Sequence, residues 1–113
     1  LTNQEGLQAK MVDVWTIRHE EYQYKKNGKK FFKRIVAERK MEFRADGTAV
    51  VDNGSNVELF KWSLHDRTLT LEYEGNSKLF RLWARDYTVT LTERYNTKAV
   101  ELQNPLVSIS LFD

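Results

Sequence analysis

Apolar and polar residues alternate along most of this chain with a period of two. In residues 57–64, Phe60, Trp62 and Leu64 share one face, with Lys61 and Ser63 opposite. Leu69, Leu71 and Tyr73 alternate with Thr68, Thr70, Glu72 and Glu74. Phe80, Leu82 and Ala84 alternate with Arg81 and Arg85, and Tyr87, Val89 and Leu91 with Thr88, Thr90 and Thr92. Val100 and Leu102, then Val107, Ile109 and Leu111, flank Asn104-Pro105 in the same rhythm. Such alternation predicts strands with one apolar face. Turn formers punctuate it: Asn27-Gly28, Asp46-Gly47, Asn53-Gly54, His65-Asp66, Gly75-Asn76, Arg85-Asp86, Tyr95-Asn96 and Asn104-Pro105. From Asp66 onward their spacing is about nine to ten residues, room for one strand and a tight turn. The pattern predicts a single all-β domain over residues 1–113. Its architecture is an eight- to nine-stranded antiparallel up-and-down barrel, because a meander of that many twisted strands closes on itself.

The start of the chain departs from this rhythm. Residues 1–10 show no alternation and predict a short irregular or helical lead-in before a first strand over residues 11–25. Asn27-Gly28 then closes a hairpin, both residues tolerating the positive φ of a type I′ turn. In the return strand, about 29–44, Phe32 and Val36 share one face while Ile35, Met41 and Phe43 share the other. One regular strand cannot bury both sets, so a bulge or bend is expected near Ala37–Arg39. Beyond the lead-in no segment prefers a period of 3.6, and no helix is expected on the sheet.

The Trp of Val14-Trp15-Thr16-Ile17, the hairpin Met41-Glu42-Phe43-Arg44-Ala45-Asp46-Gly47-Thr48 and the pair Lys61-Trp62-Ser63-Leu64 and Leu69-Thr70-Leu71 carry a resemblance. Over about residues 11–95 the chain resembles the lipocalin-like domains of small bacterial envelope proteins, calycin-type β-barrels. It departs from the wider lipocalin signature at Asp13, where that signature has Gly. The resemblance implies a small up-and-down barrel in a secreted or lipid-anchored, cell-envelope protein, and it does not imply an enzyme.

Composition narrows the picture. There is no cysteine, so disulfides and thiolate metal sites are excluded. No apolar run approaches the roughly 20 residues of a membrane-spanning helix. The chain starts at Leu1, which suggests processing upstream, and residues 1–10 lack the apolar stretch of a signal peptide. The net charge of +2 conceals a basic block: residues 25–40 hold eight basic side chains and one acid.

Two surfaces are candidates for function. The inner set Arg39, Met41, Phe43, Phe60, Trp62, Tyr73, Phe80 and Tyr87 could line a pocket for a small apolar ligand, or simply fill the barrel. An inward Arg39 could meet a ligand carboxylate; otherwise it sits at the rim or pairs with Glu20 or Glu38. The basic hairpin, with Lys25, Lys26, Lys29, Lys30, Lys33 and Arg34, could meet a protein or anionic lipid, or only keep its edges solvated. Nucleic acid is disfavoured, because the remaining strands carry net negative charge. Trp83, opposite Phe80 in parity, would be exposed; it either covers one end of the barrel or adds to the partner surface. His19 and His65 lack metal-site spacing, no serine sits in a nucleophile elbow, and Glu20 and Glu21 should face opposite ways. No metal, cofactor or catalytic residue is expected. The sequence thus points to a non-catalytic binding protein, either holding an apolar ligand or serving as an interaction module of an envelope assembly.

Overall fold

The Asn27-Gly28 turn has φ of 54° and 77°, the left-handed pair a type I′ hairpin requires. Asp66 and Gly54 also take positive φ at predicted turns. The computed structural model describes residues 3–94 and 96–113; Leu1, Thr2 and Tyr95 of the Tyr95-Asn96 turn lie outside the described residues. Its elements are α1 (Asn3–Met11), β1 (Val14–Lys26), β2 (Lys29–Phe43), β3 (Thr48–Asp52), β4 (Val57–His65), β5 (Thr68–Tyr73), α2 (Lys78–Arg81), β6 (Asp86–Arg94), β7 (Thr97–Gln103) and β8 (Val107–Phe112). Each strand pairs antiparallel with the next, and β8 returns to β1, which closes the barrel. The expected architecture is what forms, a closed barrel of eight antiparallel strands in up-and-down order.

The inner faces follow the predicted alternation. Phe60, Trp62, Leu64, Leu69, Leu71, Tyr87, Val89, Val100, Leu102, Val107, Ile109 and Leu111 are all buried. The expected bulge is present: between β1 and β2 the register runs Ile17↔Arg39 and then His19↔Val36, so two residues of β2 face Arg18 alone. It does not rescue Phe32 and Val36, which stay on the outer face; Val36 is 80% exposed.

Three expectations are corrected. The first strand begins at Val14, because residues up to Met11 are helical. Residues 78–85 are not a strand. Ser77 caps a one-turn helix, its Oγ accepting from Phe80 N at 3.2 Å, and the chain coils onward through Leu82 and Trp83. The two-residue parity used for Trp83 therefore fails, and Leu82 is exposed while Trp83 is fully buried. Leu91 is also exposed, since β6 pairs with β5 only over Asp86–Thr88.

Helical segments also help to seal the barrel, contrary to the expectation of a bare sheet. At the end where β1 starts, Met11 of α1 is fully buried and its carbonyl accepts the Trp15 indole N–H at 3.0 Å. At the opposite end, reached by β5, Phe80 and Trp83 turn inward from the α2 segment. Beyond that end the β1–β2 hairpin projects as a two-stranded ribbon, and it stretches the molecule to 48 × 27 × 27 Å.

Candidate functional site

The inner face of β1 changes parity part-way along. Trp15 and Ile17 point inward at odd positions, and Glu20 and Tyr22 at even ones, because Arg18 and His19 together face Ser110 of β8. This irregularity places the Glu20 carboxylate inside the barrel, fully buried. Glu20 and Glu21 face opposite ways, as the strand period dictates.

Arg39 is inward too, at 11% exposure, and its Nη1 forms a salt bridge with Glu20 Oε1. The Tyr22 hydroxyl donates to the same oxygen at 3.2 Å, and Trp83 Nε1 donates to Tyr22 Oη at 2.7 Å. Tyr87 then donates to the Trp83 carbonyl at 2.9 Å. A chain of polar contacts thus crosses the barrel from β2 through β1 to the α2 segment and β6. The Arg39 guanidinium also lies 5.5 Å from the Phe80 ring centroid, a cation–π distance. Two buried atoms of the pair, Glu20 Oε2 and Arg39 Nε, have no hydrogen-bond partner among the described residues.

Burial raises the Glu20 pKa above the ordinary carboxylate value, and the hydrogen bond and charge of Arg39 oppose but do not cancel it. Burial also raises Tyr22 and Tyr87, Tyr22 being pushed further by the Glu20 charge. At neutral pH both phenols are therefore neutral donors. Tyr73 is raised by desolvation and by its bond to Glu58, whose Oε2 it meets at 2.5 Å.

The predicted interior residues do come together, and they pack on one another. Phe43 meets Trp62 edge-on at 5.3 Å between ring centroids. Phe60 lies 4.9 Å from Tyr73, 6.1 Å from Phe80 and 6.0 Å from Trp83, and Phe80 lies 4.9 Å from Trp83. Met41 pairs with Trp15 across β1 and β2 and is fully buried. All three tryptophans have an internal acceptor, Trp62 Nε1 donating to the Arg44 carbonyl at 2.9 Å.

Among the described residues, the clefts at the periphery include three. One of about 230 Å³ runs beside Glu58, Phe60 and Tyr73. A second, of about 350 Å³, lies beneath α1 between Trp15, Leu91, Lys98 and Val100, and a third, of about 360 Å³, beside Phe32, Gln103 and Asn104. None of these three is lined by Arg39, Met41, Phe43, Trp62, Phe80 or Tyr87.

The six basic residues proposed as a partner surface, Lys25, Lys26, Lys29, Lys30, Lys33 and Arg34, are all exposed on the projecting ribbon. Tyr24 and Phe31 stack across its two strands at 5.5 Å and 17°. Trp83 is not part of this surface; its full burial leaves it only the role of covering the barrel end. Sequence reasoning gave Glu20 only as one partner for Arg39 and missed its link to Tyr22 and Trp83. The available signal was the shift from odd Trp15 and Ile17 to even Tyr22 and Tyr24. No family model, no curated protein and no solved structure matches this chain.

Proposed function

We propose that this protein is a non-catalytic, lipocalin-like interaction module whose barrel is filled by its own side chains and whose binding surface is the basic ribbon. The observation that carries this reading is the mutual packing of the interior rings. The aromatic groups that would line a pocket contact each other instead, and Met11 and Trp83 are buried at opposite ends. A filled interior is what an eight-stranded barrel of this size accommodates. The site for a partner is then outside, where the basic side chains and the Tyr24–Phe31 stack stand clear of the barrel.

No enzymatic step is assigned. The carboxyl whose pKa burial raises, Glu20, is shut away from solvent and held by Arg39 and Tyr22, out of reach of a substrate. Placement in the cell envelope or outside the cell follows from the sequence resemblance. A second reading, an apolar ligand with a polar head held inside the barrel, is favoured by one feature: the buried, unpaired Glu20 Oε2 and Arg39 Nε.

Titration with a fluorescent fatty-acid analogue separates the two. The filled-barrel reading expects no saturable uptake at micromolar protein. Saturable, salt-insensitive uptake that quenches tryptophan emission would replace it with the carrier reading.

A further inference from the structure

Among the described residues, no other strand covers one edge of the projecting ribbon. β2 runs from Lys29, but β3 pairs with it only over Lys40–Phe43 among the described residues. On the other side, Gln23 N donates to the Leu106 carbonyl of the loop before β8 at 2.9 Å. In the Gln23↔Phe32 pair the backbone groups therefore point away from each other, and those of Phe32 face the open edge. By strand alternation the same holds for Lys30, Arg34 and Val36. These four residues also project their side chains to one face, the outer one, where Phe32 is 58% and Val36 80% exposed.

We propose that this edge of β2 takes up an extended acidic segment of a partner protein, which adds to the sheet as a further strand. The backbone of Lys30, Phe32, Arg34 and Val36 supplies the hydrogen bonds, and the side chains supply the selection. Directly opposite residues lie close enough to interact across strands. The added strand must then present, at every second position, an acid against Lys30, an apolar residue against Phe32, an acid against Arg34 and an apolar residue against Val36. A second copy of this chain does not fit, because β2 against β2 would bring two strongly basic ribbons together. Nucleic acid would use the phosphates and the Tyr24–Phe31 stack but would leave the edge amides and carbonyls unpaired.

This inference rests on the interaction-module reading, and its test is separate from the fatty-acid titration. The probe is a capped peptide of about nine residues with threonine at odd positions and valine and glutamate alternating at even ones. Saturable binding is expected by fluorescence anisotropy with a labelled peptide. N-methylation of its edge-facing amides should abolish binding. The surface substitutions Lys30→Glu with Arg34→Glu should weaken it by about tenfold or more, and a lysine-for-glutamate peptide should recover binding to that variant. Equal binding of the N-methylated peptide, no saturable binding of the parent peptide, or tighter competing binding of oligothymidylate would each overturn the proposal. Uptake of the fatty-acid analogue would overturn the filled barrel and leave the edge result standing.

Discussion

Replacing Arg39 by Met keeps most of the side-chain volume and removes the charge that faces Glu20. In the native protein Glu20 is fully buried and Arg39 almost so. Breaking a buried pair by deleting one partner costs about 3–5 kcal/mol, because the remaining charge is left uncompensated. The cation–π contact with Phe80 adds on the order of 1 kcal/mol. At roughly 4–8 °C per kcal/mol for a domain near this size, the melting temperature should fall by more than about 10 °C. The effect also depends on pH in a definite direction. The folded-state pKa of Glu20 is raised above its ordinary value of 4.5, so the folded protein holds this proton more tightly than the unfolded chain. The group's contribution is therefore complete below that ordinary value and is lost as pH rises through the raised one. Without Arg39 the pKa rises further, and the deficit widens at neutral pH. Urea unfolding followed by tryptophan fluorescence should show Arg39→Met losing about 4–6 kcal/mol near pH 7.5 and on the order of 1–2 kcal/mol near pH 4. The double variant Glu20→Gln with Arg39→Met should recover most of the neutral-pH loss. A neutral-pH loss under about 1 kcal/mol, or equal losses at both pH values, would refute the reasoning.

Two further substitutions probe how the barrel ends are closed. Trp83→Phe removes the donor to Tyr22 and part of the stack on Phe60 and of the edge contact with Phe80; a loss of about 2–4 kcal/mol in the unfolding free energy from urea titration is expected, and a loss below about 0.5 kcal/mol would show that the plug contributes little. Gly75→Ala would place a methyl 2.3 Å from Tyr73 Oη, which is held between Glu58 and Ser77. It should cost about 1–3 kcal/mol, and Tyr73→Leu in the same chain should erase the added penalty; persistence of the penalty would point to the backbone instead.

The barrel was legible because its signal is redundant. Each of β4 through β8, apart from the β5–β6 connection, repeats a period of two between turn residues, and register follows from burying that face. The Ala37–Arg39 bulge was legible for the same reason, as two incompatible parities in one strand. What escaped was local and short. The one-turn helix at Lys78–Arg81 mimics alternation, since Phe80 and Leu82 stand two apart as inner strand residues would; only the Ser77 cap and the three-residue spacing of Phe80 and Trp83, both buried, mark the coil. The sealing role of α1 rests mainly on Met11 and Leu7, too few residues to register as a helical period. Within the candidate site, Arg39 and the aromatic residues were visible as inward positions. Their mutual packing was not, because alternation assigns a face and says nothing of the distance across a barrel. The basic ribbon was visible from composition; its unpaired edge depends on how short β3 is, which no residue pattern in β2 reveals.

The proposed function stands or falls on binding outside a filled barrel. Its most direct test is a nitrogen–proton correlation spectrum of the three tryptophan indoles and the backbone amides, recorded with a fatty acid and separately with the acidic peptide. The fatty acid should leave the Trp62 and Trp83 indole signals in place, whereas the peptide should shift the amides of Lys30 through Val36. Saturable shifts of those two indoles with fatty acid, and a silent β2 edge with peptide, would contradict it.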